Sequence, residues 1–96
     1  MTQQITITTS ADVALKPLLV AAIQNETRLL LHGLNRTRER LASFEQQYSM
    51  TSAEFERRFN ARELSESLDF IEWTGEIKTL RLLEAQHQAL QGAQVN

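Results

Sequence analysis

Cysteine is absent from this sequence, and proline and glycine are scarce, with one and three residues. Without cysteine the chain can form no disulfide and no thiolate metal site. The scarcity of glycine and proline leaves few breaks for helices, and no internal repeat or low-complexity linker divides the chain. We therefore expect a single all-α domain over residues 1–96.

A basic amino-terminal region and a long apolar run are also missing. No segment approaches the roughly 20 apolar residues of a membrane-spanning helix, so we expect no membrane association. Ten Lys and Arg against twelve Asp and Glu give a net charge of −2, which argues against a general coat for nucleic acids. The composition favours a soluble, cytoplasmic protein and calls for no cofactor.

Aromatic side chains are few, and all six fall in one window between residues 44 and 73. Aromatic rings bury the largest area per residue, so their grouping predicts one compact corner from which aliphatic segments extend. The structural core predicted from this window consists of Phe44, Tyr48, Phe55, Phe59, Phe70 and Trp73.

A long helix is predicted over residues 14–48. Pro17 is compatible with a helix only in the first turn, and no second proline interrupts the segment. Apolar or small side chains then recur in steps of three and four, the spacing of a heptad seam. The seam consists of Val20, Ile23, Thr27, Leu30, Leu34, Thr37, Leu41, Phe44 and Tyr48.

Two further helices are predicted, over residues 52–60 and 67–90. Thr51 should cap the short one, with Glu54 reaching back to the Thr51 backbone in a capping box. The last helix should fold back antiparallel on the first, which makes a long helical hairpin with the short helix at its closed end. Gly33 and Gly75 interrupt the long helices, where a missing side chain lets another backbone approach closely.

The amino-terminal arm, residues 1–10, contains one alternating segment. Ile5 and Ile7 alternate with threonines, which is typical of a short β-strand. A lone strand cannot form a sheet by itself, so it pairs with its own copy, pairs with another protein, or frays.

Two long helices cannot enclose a core between them, because each hides only one stripe. Leu18, Leu19, Leu29 and Leu31 should therefore stay exposed and bind a partner. We expect a homodimer, with Ile5, Ile7, Ile23 and Leu30 as its contact residues.

Carboxylates are concentrated at the start of the last helix, at Glu63, Glu66, Asp69, Glu72 and Glu76. Their spacing resembles the Mg²⁺-binding sets of helical nucleotide pyrophosphohydrolases, which need a matching pair on a neighbouring helix. The first helix carries no such pair, so the acidic residues are better explained as a charged surface near a helix start. We assign Asp69, Glu72 and Glu76 to partner binding and predict neither metal-binding nor catalytic residues.

Basic residues line one side of the first helix, at Arg28, His32, Arg36 and Arg40. Such a stripe can follow phosphates, but no recognition motif accompanies it, and acidic residues dilute it. An ordinary solvated surface is the favoured interpretation. Neither His32 nor His87 has a nearby Ser or Cys in a pattern that favours nucleophilic catalysis.

Residues 36–85 resemble a group of small helical proteins from bacteria and archaea that are often encoded beside a small toxin and taken to be its antitoxin. The resemblance lies in Phe44-Glu45, Tyr48, Glu54-Phe55, Phe59, Asp69-Phe70, Glu72-Trp73 and Gly75-Glu76. It implies a role as a binding partner and brings no catalytic signature.

The sequence thus favours a non-enzymatic protein-protein interaction module that masks a cognate toxin and homodimerises. A structural coiled-coil adaptor is the first alternative, and a metal-dependent pyrophosphohydrolase is the second.

Overall fold

A computed structural model of the chain describes residues 3–93 and residue 95. It contains helices α1 (Leu15–Tyr48), α2 (Ser52–Asn60) and α3 (Leu68–Gln91). α1 and α3 pack antiparallel, and α2 lies across the end where they are joined. The molecule is elongated, 60 × 25 × 18 Å. The predicted helical hairpin is confirmed, with helix ends within one residue of the expected ones.

The strand predicted at the amino terminus is wrong for the part of the chain that the structure describes. Residues 3–10 have no strand or bridge assignment, and Ile5 is 79% exposed. A strand requires a neighbouring backbone for its hydrogen bonds, and three helices leave none free to pair. Alternating residues alone could not supply that neighbour.

α1 spans 34 residues, about 51 Å at the standard helical rise. Pro17 lies in its first turn, and Ala14 precedes the helix without a side-chain cap. The helix ends at Ser49, whose φ of 51° is left-handed and whose N–H donates to the Glu45 carbonyl oxygen. This left-handed residue turns the chain from α1 towards α2.

The start of α2 is fixed by two side chains. Thr51 Oγ1 accepts from the Glu54 N–H at 3.1 Å, as the capping pattern predicts. The second half of the expected capping box is not formed, because Glu54 bonds the Arg57 guanidinium instead, at 3.0 Å. Glu45 replaces it from the end of α1: its Oε2 accepts from the Ser52 N–H at 2.7 Å. A carboxylate from α1 thereby binds the positive end of α2.

Trp73 lies at the centre of the aromatic corner and is fully buried. The Phe55 ring stacks on it at a centroid distance of 4.0 Å with 1° between the planes. Phe44 stacks at 5.5 Å. The indole Nε1–H donates to Ser52 Oγ at 2.9 Å, so its burial leaves no unsatisfied donor. One side chain therefore joins all three helices.

The remaining aromatic residues close the corner around this stack. Tyr48, Phe59 and Phe70 are partly buried and pack against the buried cluster. Tyr48 meets Phe70 edge to face at 5.1 Å, and Phe59 meets Phe70 at 6.0 Å. All six aromatic residues of the predicted core are thus brought together at one end of the hairpin.

Away from the corner, α1 and α3 meet along the aliphatic seam. Leu34 and Leu41 of α1 and Ile77 of α3 are buried there. Leu30 is 6% exposed in the same seam. Its predicted role as a dimer contact is therefore corrected: its side chain is already covered by the chain's own fold.

The two helix-interior glycines differ in their surroundings. A Cβ on Gly33 would lie 3.3 Å from Leu83 Cδ1, so the glycine permits close approach of α3. A Cβ on Gly75 would meet nothing within 4 Å. The expectation that Gly75 allows tight packing is therefore wrong, because this residue faces open space on α3.

Replacing Trp73 by Ala should lower the free energy of unfolding by about 3–5 kcal/mol, because it leaves a cavity among all three helices. Leu82→Ala is the matched control and should change stability by less than about 1 kcal/mol, since Leu82 is 58% exposed. Urea unfolding followed by circular dichroism measures both. An unchanged stability for Trp73→Ala would contradict the assignment of the aromatic corner as the core.

Gly75→Ala should raise the free energy of unfolding by roughly 0.5–1 kcal/mol, because alanine restricts the unfolded chain and has room on the helix. Gly33→Ala should gain less, since the new methyl group forces Leu83 to move. The two melting curves give the comparison directly. An equal gain at both sites would show that the Leu83 contact imposes no cost.

Candidate interaction surfaces

α1 extends beyond the end of α3. Gly33 faces Leu83, and Arg40 Nε lies 3.1 Å from Glu76 Oε1. Antiparallel pairing in this register brings Gln91, the last residue of α3, opposite the region of residue 25 on α1. Residues 15–25 therefore form a helical extension whose seam side has no partner helix, which we call the open seam.

A cleft of about 620 Å³ lies where α1 extends beyond the end of α3. Leu19 and Ile23 of α1 form one side of it, and both are half-buried. Residues 3–7 and the residues that follow α3 complete its lining. Ile5 and Ile7, two of the predicted dimer residues, border this cleft but remain largely exposed. Ile23, a third, belongs to the open seam.

Aliphatic side chains flank the seam on both sides of α1. Leu18 and Leu29 are 57% and 59% exposed, and their separation of eleven residues places them on one side of the helix. Val20 and Leu31 share the other side with the same separation, and Leu31 is 42% exposed. Of the four leucines predicted to bind a partner, Leu19 alone is half-buried. We call the exposed pairs the aliphatic flanks of α1.

The predicted acidic surface is partly used within the fold. Asp69 accepts a hydrogen bond from the Tyr48 hydroxyl, and the Gln47 amide lies 3.5 Å from the same oxygen. This contact raises the pKa of Tyr48, with smaller contributions from desolvation and from the charge of Asp69. Glu76 pairs with Arg40. Glu72 alone of the three predicted residues has no ion pair or hydrogen bond among the described side chains, and it is exposed.

The basic stripe of α1 is interrupted in the same way. Arg40 is committed to Glu76, and Arg38 Nη2 lies 3.6 Å from Glu84 Oε2. Arg28 Nη2 bonds the Asn25 side chain at 3.2 Å on its own helix. Of the three arginines of the stripe, Arg40 is thus ion-paired to α3, and the second ion pair between these helices uses Arg38, outside the stripe.

A bidentate ion pair joins α2 to α3. Arg81 Nη1 donates to Glu56 Oε2 at 2.7 Å, and Arg81 Nη2 donates to Glu56 Oε1. This hydrogen bonding lowers the pKa of Glu56 and raises that of Arg81. Both side chains contact solvent, so the pair orients α2 more than it stabilises the fold.

No group of three or more His, Asp or Glu side chains converges on a metal-sized site within residues 3–93. The five carboxylates singled out in the sequence are spread over a loop and the first turns of α3, and Glu63 lies 3.5 Å from the Arg57 guanidinium. Among the described helices none has the length and apolar character needed to cross a membrane.

No protein-family model, curated protein or solved structure matches this chain.

Several residues that organise these surfaces were not singled out in the sequence. Ser52 accepts the Trp73 hydrogen bond and Glu45 caps α2, and both roles depend on contacts between helices that no local pattern contains. An exposed apolar group on the outer side of α3 was also missed, although its separations of three and eleven residues place its members on one side of a helix. It consists of Leu68, Ile71 and Leu82.

The lowered pKa of Glu56 predicts a pH dependence of folding. Because the folded pKa lies below the ordinary value of 4.5, the stabilisation is present above that value and is lost as the pH falls through the folded pKa. The native protein should therefore lose more stability between about pH 6 and pH 3 than Glu56→Gln does. Arg81→Gln should reduce the dependence equally. Identical pH profiles for the three proteins in urea unfolding would exclude this role of the ion pair.

Proposed function

We propose that this protein is a non-enzymatic protein-interaction module of the antitoxin type, which homodimerises and masks a partner protein. The observation that carries the proposal is the exposure of the aliphatic flanks of α1, in the half of the helix away from the packed aromatic corner. Leu18 and Leu29 are 57% and 59% exposed, and the fold does not need them, because α1 packs on α3 through its seam side. Exposed apolar surface of this kind is typical of sites that bind another protein.

Binding would bury the leucines of one flank in a groove of the partner. An amphipathic helix recognises such a groove by apolar side chains spaced along one side, here Leu18 and Leu29. Glu72 offers a carboxylate that is free of internal contacts and can attract a cationic surface. If the partner uses its cationic residues to bind RNA, this protein would block RNA binding by covering those residues. Masking in this form needs no reaction and no cofactor.

The experiment is copurification of this protein with the small protein encoded by the neighbouring gene. The double substitution Leu18→Ser/Leu29→Ser should lower affinity at least tenfold, because both leucines lie on the proposed flank and outside the hairpin seam. Leu82→Ser is the matched control, equally exposed but on α3, and should bind normally. Absence of a complex, or equal binding by both variants, would refute masking through α1.

The charge component has its own test. Glu72→Lys should weaken the complex and make it less sensitive to salt, because long-range attraction is lost. Reversal at Asp69 or Glu76 is a less specific probe, since these residues bond Tyr48 and Arg40 within the hairpin. Melting curves of Glu72→Lys should match the native protein. Unchanged affinity for this variant would remove the electrostatic part of the proposal.

A homodimeric adaptor is the second candidate, and the open seam of α1 favours it. A stable dimer that does not bind the neighbouring gene's product would support the adaptor over masking. Light scattering of the isolated protein and the copurification separate the two.

A further inference from the structure

We infer that the open seam of α1 binds the same segment of a second copy, with the two helices antiparallel. This inference rests on the homodimerisation proposed above and identifies the surface that performs it. Each copy would cover the open seam that lies beyond the end of α3 in the other copy. The two hairpins would then point in opposite directions from a shared central segment.

The first support is the continuity of the seam. Ile23 lies seven residues before the buried Leu30 and continues its row of positions, and Leu19 lies one helical turn before Ile23. In the covered half of α1 these rows contact α3. The seam therefore continues with apolar side chains as far as Leu19, about 9 Å beyond the last residue of α3. A helix laid on the open seam would extend an interface that the fold already uses.

The second support is the direction that α3 permits. A second α1 laid parallel on the open seam would run into the end of α3 near residue 25. In an antiparallel second α1, the residues that follow the contact, 26–48, run away from α3 and meet no obstacle. The antiparallel helix also places its own open seam against the open seam of the first copy. One contact then buries both seams and closes the assembly with twofold symmetry.

The third support is charge. Antiparallel pairing centred near residue 21 brings Lys16 opposite Glu26 of the second copy, once at each end of the contact. Parallel pairing would instead place Lys16 beside Lys16 and Glu26 beside Glu26. The open seam therefore carries opposite charges at its two ends, as an antiparallel contact requires.

The present neighbour of the open seam is a weak competitor. Residues 3–7 border the cleft without regular secondary structure, and no hydrogen bond among the described residues ties them to α1. A second helix would displace this segment and cover Leu19 and Ile23 more completely. In this dimer Ile5 and Ile7 do not form the contact between the two copies.

Charge exchange tests the pairing in sedimentation equilibrium of the isolated protein. Lys16→Glu and Glu26→Lys should each weaken the dimer about three- to tenfold, since every dimer contains the pair twice. The double variant should return to within about twofold of the native protein, because the opposite charges face each other again. Lys78→Glu, an equal change of charge on α3, is the control and should have no effect.

Leu19→Gln tests the apolar part of the contact. It should weaken dimerisation at least tenfold and leave the melting temperature of the monomer unchanged, because Leu19 lies beyond the end of α3. Leu82→Gln is the control for loss of an exposed leucine. The double variant Ile5→Ser/Ile7→Ser should dimerise at least as strongly as the native protein, since it weakens the competing segment.

Three results would overturn the inference. They are a native protein that stays monomeric at about 1 mM, a charge-exchanged double variant as weak as its parents, and loss of the dimer in Ile5→Ser/Ile7→Ser. These measurements contain no partner protein, so failure of masking in the copurification does not affect them.

Discussion

The burial of Trp73 between three helices is the constraint on which the rest of the structure depends. Its ring stacks on Phe55 of α2 and Phe44 of α1, and its N–H is satisfied by Ser52. A buried indole with these partners has one position along α3 in which both its faces and its donor are satisfied. The register of α3 against α1 follows from this position and is reinforced by the Arg40–Glu76 ion pair.

The register divides the apolar surface of α1 into two parts. From Leu30 to Phe44 the seam is covered by α3 and stabilises the monomer. Before about residue 25 α3 has ended, and the seam, flanked there by the exposed Leu18, has no partner helix. The aromatic corner thus determines where the covered part of α1 stops, and in the proposed complexes it would affect binding only indirectly. Disrupting the corner should destabilise the protein. It should also change which residues of α1 are covered by α3.

Helix positions could be predicted from the sequence because heptad spacing, Pro17 and the capping residue Thr51 act locally. The aromatic core was predictable for the same reason, since its residues share one window. The strand over residues 4–8 was not, because strand formation depends on a neighbour that alternation does not reveal. Leu30 was misassigned to the dimer since a seam pattern cannot tell which part of it the same chain covers.

The most direct test of this account is the maximum dimension of the protein in solution, measured by small-angle X-ray scattering across a concentration series. The monomer is 60 Å long. Two hairpins joined through their open seams overlap by about 16 Å and should reach about 100 Å as the concentration rises. A dimer that stays near the length of the monomer would place the two copies side by side and contradict the account.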